Sequence, residues 1–233
     1  MELFYEKDKT FGEIMKEKKN FIFIGEAGSG KSEIVLNVAH MLAEQTGKKV
    51  DLFDLDQTKP LFRSRDLKEA FAKDGVTIHF QEQLLDAPSA VGGVATSLMG
   101  DGYTLLDIGG GHSAARMAGG YCHLLAKEDS VPVYVINSYR PWTKSLEAID
   151  GTMSHILKST RLDHIYILGN PNLGYATDVN EFMNGLDKLD ELLDGITTVN
   201  SACVRSDIYE EAQARTDKFL LPMELYLTYE WVD

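Results

Sequence analysis

Short apolar runs alternate with longer amphipathic stretches along most of this 233-residue chain. The run Val131–Ile136 carries no charged position, which is typical of a strand buried on both faces of a parallel sheet. The pattern predicts strands over Phe21–Gly25, Val50–Leu55, Val76–Phe80, Tyr103–Ile108, Val131–Asn137, His164–Gly169 and, interrupted by Pro222, Phe219–Leu227. It predicts helices over Phe11–Lys18, Lys31–Thr46, Leu67–Lys73, Ser113–Ala126, Thr143–Ser159, Asp178–Leu193 and Asp207–Ala214.

This alternation of strand and helix predicts an α/β fold: a doubly wound, mostly parallel sheet with helices on both faces. The length suits a single domain over residues 1–233, in which residues 1–20 form an N-terminal helical extension. Ligands of such sheets bind at the carboxyl ends of the strands. Candidate functional residues are therefore expected where the predicted strands end.

A glycine-rich segment overlaps the end of the predicted strand Phe21–Gly25 and leads into the next helix. It reads Gly25-Glu26-Ala27-Gly28-Ser29-Gly30-Lys31-Ser32 and has the spacing G-x-x-x-x-G-K-S. In such a loop the backbone N–H groups and the helix dipole bind phosphate oxygens. Lys31 is expected to reach the β and γ phosphates, and the Ser32 hydroxyl to ligate Mg²⁺. The motif predicts that the chain binds a nucleoside triphosphate.

Acidic residues mark the ends of two further predicted strands. Of Asp54 and Asp56, only one is expected to address the nucleotide, and Asp56, nearer the strand end, is favoured to position water or hold Mg²⁺ through its water shell. A carboxylate on a core strand is costly without a nearby cation, so Asp107 is expected beside Mg²⁺. Gly110 follows at the spacing of a switch loop, where its N–H would sense the γ-phosphate.

Two later strand ends carry Arg140 and Asn170. Arg140 would neutralise transition-state charge or recognise an acidic partner, and an ordinary surface arginine is an equal alternative. Asn170 offers a donor and an acceptor together, so it is expected to read a purine edge. Its alternative is turn chemistry within Asn170-Pro171-Asn172.

The charge and cysteine content narrow the classes of partner. A net charge of −13 and a pI near 4.9 argue against nucleic acid and an anionic membrane surface as binding partners. Cys122 and Cys203 form no C-x-x-C pair, so buried small side chains are expected, with an iron–sulfur cluster shared across a dimer as the alternative. No apolar run approaches the ~20 residues of a membrane span, and no secretory signal is expected, which favours a cytoplasmic protein.

The combination of the phosphate loop, the Asp54-Leu55-Asp56 segment, Asp107-x-x-Gly110 and Asn170-Pro171 resembles one branch of P-loop NTPases. That branch, the SIMIBI class, contains the MinD/ParA ATPases, the nitrogenase iron protein, and metal-insertion and cobyrinate-synthesis proteins. The resemblance implies that Asp54–Asp56 help to organise hydrolysis, that Asp107 lies beside Mg²⁺, and that Asn170 contacts adenine. It also implies a switch or energy transducer that acts on a protein partner.

One position departs from that family. Many members carry a second, signature lysine near the start of the loop, in a Lys-Gly-Gly arrangement, where this chain has Glu26-Ala27-Gly28. A glutamate repels the phosphates of a partner subunit, which argues against an ATP-sandwich dimer. A homodimer is still an alternative, because Arg140 or another basic residue can take the place of the lysine.

The leading hypothesis is a slow, Mg²⁺-dependent ATPase coupled to a partner protein, in which Lys31, Asp56 and Asp107 carry the chemistry. One alternative is a small-molecule kinase, for which Arg63 and Arg65 are the candidate lid residues. A second alternative is a nucleotide sensor that binds without hydrolysis because Glu26 hampers turnover. The base preference for ATP over GTP is indicated only by the absence of a Lys-x-Asp continuation after Asn170.

Overall fold

The computed structural model describes residues 4–55, 67–80, 92–109, 119–143, 145–160, 162 and 164–227. Within these ranges the strands form one sheet, in which every pairing is parallel. The strands are β1 Phe4–Tyr5, β2 Asn20–Ile24, β3 Val50–Asp54, β4 Val76–His79, β5 Tyr103–Asp107, β6 Ser130–Ile136, β7 His164–Gly169, β8 Ser201–Arg205 and β9 Phe219–Met223.

The strand order is β4-β3-β5-β2-β6-β7-β8-β9, and β1 pairs with the beginning of β7. Strand β2 therefore lies in the middle, between β5 and β6. Consecutive strands are not neighbours there, which makes the carboxyl end of β2 the switch point where ligands of open α/β sheets bind. The predicted doubly wound, mostly parallel α/β fold is confirmed.

Helices cover both faces of the sheet, as the apolar strands require. They are α1 Phe11–Glu17, α2 Lys31–Thr46, α3 Lys68–Lys73, α4 Val94–Leu98, α5 Cys122–Leu125, α6 Leu146–Thr160, α7 Val179–Leu193 and α8 Tyr209–Gln213. One face packs on α1, α2 and α3, and the opposite face on α4, α5, α6 and α7. The longest helix, α2, ends at Gly47 in the left-handed conformation, as its sequence predicts.

Strand alternation decides which side chains reach the face covered by α2. Phe21, Phe23 and Leu105 lie in the core on that side, whereas Ile22 and Leu106 lie in the core on the other. Successive side chains on a strand alternate between faces, and Leu52 of β3, Val135 of β6 and Leu168 of β7 also lie in the core on the α2 side. The buried polar residues two positions after these core residues and after Leu105 lie on the same side, and they are Asp54, Asp107, Asn137 and Asn170.

Several predicted elements differ in extent. The segment predicted as one interrupted strand over Phe219–Leu227 is a strand only to Met223, and the predicted helix Thr143–Ser159 begins at Leu146. In the described part of the predicted helix Ser113–Ala126, Gly119 is helical, a turn follows at Gly120 and Tyr121, and α5 covers Cys122–Leu125.

Three short elements were not predicted, namely β1, α4 and β8. Two of these elements are strands of the sheet: β1 pairs with β7, and β8 lies between β7 and β9. Residues 4–20 contribute β1 as well as α1, and Phe11 and Ile14 of α1 are fully buried in the core.

Candidate functional site

The glycine-rich loop between β2 and α2 needs its glycines for both conformation and space. Gly25, Gly28 and Gly30 have φ values of 144°, 76° and 92°, a region that side-chain-bearing residues rarely adopt. A Cβ on Gly25 would lie 2.5 Å from the Val135 carbonyl oxygen, and one on Gly30 would lie 2.2 Å from Asn170 Nδ2. The loop therefore wraps closely around the ends of β6 and β7.

Lys31 begins α2 and lies inside this loop, with 2% of its surface exposed. Its Nζ donates to the carbonyl oxygens of Gly25 at 2.9 Å and Glu26 at 3.0 Å. A buried ammonium is costly unless it is hydrogen-bonded, and these carbonyls supply that stabilisation. The lysine thus places a positive charge at the N-terminus of α2, where the helix dipole already favours anions.

Ser32 and Asp107 meet at the end of β5. The Ser32 hydroxyl donates to Asp107 Oδ2 at 2.6 Å, and Asp107 is 2% exposed. Asp54 is the direct neighbour of Asp107 in the register of β3 and β5, and it lies two positions after Leu52, on the sheet face that points toward α2. A hydroxyl and two adjacent carboxyl groups are oxygen donors of the kind that Mg²⁺ prefers.

Some of the expected residues lie outside the described part of the chain. These are Asp56, Gly110, and the candidate lid residues Arg63 and Arg65. Positions two apart on a strand face the same way, so the expectation that only one of Asp54 and Asp56 addresses the nucleotide does not follow from strand geometry. Among the residues that the structure does describe, no cluster of three or more His, Cys, Asp or Glu side chains could hold a metal ion.

Asn170 follows β7 and contacts the phosphate loop directly. Its Nδ2 donates to the Ser29 carbonyl oxygen at 2.7 Å, and its backbone N–H donates to the Ile136 carbonyl at 2.8 Å. The neighbouring Asn137 shapes the turn after β6 by donating to the Asn172 carbonyl at 2.7 Å. The amide of Asn170 therefore joins the end of β7 to the phosphate loop across 141 positions of sequence.

A cavity of about 440 Å³ extends from the phosphate loop along these strand ends. One end is polar and includes Lys31, Ser32 and Asn170. The other end is apolar, lined by Val204, Met223, Leu225 and Leu227. Its size and its lining, with a cation at one end and apolar side chains at the other, are typical of a site for a small ligand with an anionic and an apolar part.

The apolar end is built partly by residues 224–227, here called the C-terminal strap. Asn37 of α2 holds it with two hydrogen bonds, donating from Nδ2 to the Glu224 carbonyl at 2.8 Å and accepting at Oδ1 from the Glu224 N–H at 2.8 Å. Glu33 accepts from the backbone N–H groups of Tyr226 and Leu227. Burial raises the pKa of Glu33 to about 7, against the lowering effect of these two N–H donors.

These residues fit a nucleoside triphosphate with Mg²⁺. Beyond the glycine cradle and Lys31, the hydroxyl of Ser29 is buried and has no hydrogen-bond partner among the described residues. A buried hydroxyl in that state is unusual, and a phosphate oxygen at the loop would satisfy it. The sequence indicates the loop, Asp107, Asn170 and the Asp54–Asp56 segment, whereas the roles of Glu33, Asn37 and the strap depend on pairings that no local pattern signals.

The two cysteines lie in different elements. Cys203 is buried in β8, and burial raises the pKa of its thiol, whereas Cys122 in α5 is half-buried. This agrees with the expectation of a small buried side chain for Cys203. Nowhere in the described ranges does a helix combine the length and apolar character needed to span a membrane.

Comparison with solved structures shows the fold. The chain matches the cell division protein FtsY of Thermotoga maritima with a TM-score of 0.52 and 16% identity over 83% of this chain and 68% of that one. It matches FtsY of Mycoplasma mycoides with a TM-score of 0.48 and 16% identity, over 78% of this chain and 58% of that one. FlhF in complex with GTP and Mg²⁺ matches with a TM-score of 0.44 and 11% identity, over 78% of this chain and 64% of that one.

Comparison with curated protein sequences gives no significant match. A family model does match, described as the CobQ/CobB/MinD/ParA nucleotide binding domain, and it covers residues 21–185. That range contains the phosphate loop, Asp107 and Asn170, and it is more than half of the chain. The chain therefore belongs to the CobQ/CobB/MinD/ParA nucleotide-binding family, and it is a P-loop NTPase domain of the class that its motifs resemble.

Proposed function

We propose that this domain binds ATP with Mg²⁺, hydrolyses it slowly and uses the change of nucleotide state as a switch for a protein partner. The observation that carries the proposal is that Lys31 and Ser32 line the polar end of the cavity and that the Ser32 hydroxyl donates to Asp107. Cation, hydroxyl and carboxylate are the groups that P-loop hydrolysis requires. A cytoplasmic location is part of the same proposal.

Each residue has a distinct role in this proposal. Lys31 and the loop from Glu26 to Ser32 bind and orient the phosphates, with Gly110 as the sensor of the γ-phosphate. Ser32 would hold Mg²⁺, while Asp107 and Asp56 order its water ligands and the attacking water. When bound, Mg²⁺ neutralises charge on the phosphates and so lowers the cost of the developing transition state.

The hydrogen bonding of Asn170 favours adenine over guanine. Its Nδ2 is committed to the Ser29 carbonyl, which leaves Oδ1 as the atom for a base edge. An amide oxygen accepts hydrogen bonds, and adenine presents an amino donor where guanine presents a carbonyl acceptor. Asn170 thus supports the expectation that the nucleotide is ATP.

A protein partner is proposed because the family resemblance implies a switch that acts on a protein. Glu26 replaces the signature lysine, so we expect dimerisation, if any, to depend on other contacts. We expect no nucleic-acid partner, given the net charge of −13.

Release of inorganic phosphate from Mg·ATP and Mg·GTP tests the proposal. Wild-type protein is expected to turn over ATP in preference to GTP, and Lys31→Ala to abolish turnover. Asp107→Asn keeps an acceptor for the Ser32 hydroxyl but removes the charge, and we expect it to lower the rate by about 100-fold. Thermal unfolding of each variant without nucleotide checks that the fold is retained.

Three results would contradict the proposal. An Asp107→Asn protein with unchanged rate and Mg²⁺ dependence would remove Asp107 from the mechanism. Transfer of the γ-phosphate to a metabolite would indicate a kinase, and tight ATP binding without phosphate release would indicate a sensor. Molecular mass measured with and without nucleotide separates a monomer from a nucleotide-dependent dimer.

A further inference from the structure

Three side chains from outside the phosphate loop donate to three consecutive carbonyls within it. Trp142 Nε1 donates to the Ala27 oxygen at 3.1 Å, and Arg140 Nε donates to the Gly28 oxygen at 2.8 Å. Asn170 completes the set with its bond to the Ser29 oxygen. Arg140 and Trp142 belong to one segment, residues 138–143, here called the brace loop.

The positions of these carbonyls control where the neighbouring N–H groups point. In a trans peptide the C=O and the following N–H are antiparallel. Holding the oxygens of Ala27 and Ser29 outward therefore turns the N–H groups of Gly28 and Gly30 the opposite way, toward the inside of the loop. The peptide that joins Gly28 to Ser29 is held at both of its polar groups. Arg140 donates to its carbonyl oxygen, and its N–H, that of Ser29, closes a turn onto the Glu26 oxygen at 3.2 Å.

The brace loop is itself held in one conformation. The Thr143 hydroxyl donates to the carbonyls of Asn137 at 2.9 Å and Arg140 at 2.8 Å, and Thr143 is buried. The backbone N–H of Tyr139 donates to Asn137 Oδ1 at 3.0 Å, and the Tyr139 hydroxyl donates to the Glu181 carbonyl of α7. Arg140 and Trp142 thus start from a fixed support.

Glycine at position 28 allows this contact. A Cβ there would lie 3.3 Å from Arg140 Nε and 3.5 Å from its Cζ, so a larger residue would push the guanidinium away. Among the described residues, no ion pair involves Arg140. Its described bond is therefore to the loop carbonyl rather than to a carboxylate.

We infer that Arg140 and Trp142 are positioning residues, which hold the phosphate loop in its anion-binding conformation before the ligand arrives. This inference rests on nucleotide binding at the site, but it does not need ATP hydrolysis. Arg140 acts through its Nε–H, not through its charge. Affinity for phosphates depends on such preorganisation because a loop that must first be ordered binds more weakly.

Two variants of Arg140 separate the effect of its Nε–H hydrogen-bond donor from the effect of its positive charge. In Arg140→Gln, the side-chain N–H₂ lies the same number of bonds from the backbone as the arginine Nε, without a positive charge. Arg140→Met has similar length and neither donor nor charge. Calorimetric titration with Mg·ATP and with inorganic tripolyphosphate should give Arg140→Met an affinity about tenfold weaker for both ligands, and Arg140→Gln an affinity within about twofold of wild type.

Trp142→Phe tests the second positioning residue, and Leu225→Ala is the matched control. Trp142→Phe keeps the ring but loses the indole N–H, which is partly solvent-exposed, so the loss is expected to be about threefold for both ligands. Leu225→Ala changes the apolar end of the cavity and should weaken ATP but not tripolyphosphate. Thermal unfolding without ligand should show one cooperative transition for Arg140→Met and for Arg140→Gln, which establishes that both variants fold.

Equal affinities of Arg140→Met and wild type would overturn the inference. So would Arg140→Gln binding as weakly as Arg140→Met, since the charge would then carry the effect. A wild-type protein that binds ATP without hydrolysing it contradicts the proposed ATPase function alone, because every measurement in this test is of binding.

Discussion

Single residues in the phosphate loop combine strain and close approach, and Gly30 shows both. Its φ is 92°, and an added Cβ would lie 2.2 Å from Asn170 Nδ2. Gly30→Ala should therefore displace Asn170 and lower the free energy of unfolding by about 2 kcal/mol. Because the displaced amide also holds the Ser29 carbonyl, affinity for Mg·ATP should fall by at least about tenfold. Titration and chemical unfolding measure the two effects.

Gly47 provides the matched control for that substitution. It also has a positive φ, 65°, but a Cβ there meets nothing within 4 Å, and it lies at the far end of α2. Gly47→Ala should cost about 1 kcal/mol of stability and leave the affinity unchanged. If both variants lost affinity equally, helix destabilisation rather than the contact with Asn170 would explain the effect of Gly30→Ala.

The sequence predicted the loop because its signal is local. Gly25 to Ser32 lie within eight positions, and the spacing of Gly30, Lys31 and Ser32 is specific for phosphate binding. The packing of Gly30 against Asn170 joins residues about 140 positions apart, and only the order of the strands brings them together. Such a contact has no local pattern, so Asn170 and Arg140 were predicted as candidates for contacts with a ligand or a partner and not as supports of the loop.

At the scale of elements, the attachment of the C-terminal strap to α2 is the most specific feature. Asn37 is buried, and Asn37→Ala removes both of its hydrogen bonds to Glu224, which should cost about 1–2 kcal/mol, since Glu224 is exposed and water replaces part of the loss there. The amides of Tyr226 and Leu227 should exchange faster with solvent. ATP should bind more weakly while tripolyphosphate binds as before, because the strap lines only the apolar end.

Gln45→Ala is the control for that change, because Gln45 is an exposed residue on the same helix. It should leave amide exchange in the strap and ATP affinity unaltered. In Asn37→Ala, amide exchange could become faster in α2 alone while the amides of Tyr226 and Leu227 stay protected. That result would mean that Glu33 holds the strap without Asn37.

The strap also explains why one element was predicted incorrectly. The apolar residues of Phe219–Leu227 resemble one strand interrupted by Pro222, but the strand ends at Met223. After that point the backbone bonds to Asn37 and Glu33 instead of to a neighbouring strand. Similarly, Ser201–Arg205 is a strand although its ends are polar, because its backbone pairs with β9, and Ser201 Oγ accepts from the backbone N–H of Phe11 at 2.8 Å. Both outcomes depend on tertiary partners that override local preference.

At the scale of the whole molecule, contacts between distant segments secure the β8–β9 edge of the sheet. Phe11 of α1 bonds to Ser201 at the start of β8, and the Tyr166 hydroxyl of β7 also lies 2.8 Å from the Ser201 oxygen. The strap fixes the end of β9 to α2. Strand β8 should therefore open only when the whole sheet unfolds, and not by local fraying.

Cys203 makes this testable, because it is 1% exposed in β8 and burial raises the pKa of its thiol. In a Cys122→Ser variant, which removes the half-buried second thiol, alkylation by iodoacetamide should proceed only through global unfolding. Mg·ATP at about 100 times its Kd should then slow the reaction about 100-fold, because ligand binds the folded state alone. Rapid alkylation that ATP does not slow would show that β8 and β9 open while the nucleotide site stays folded.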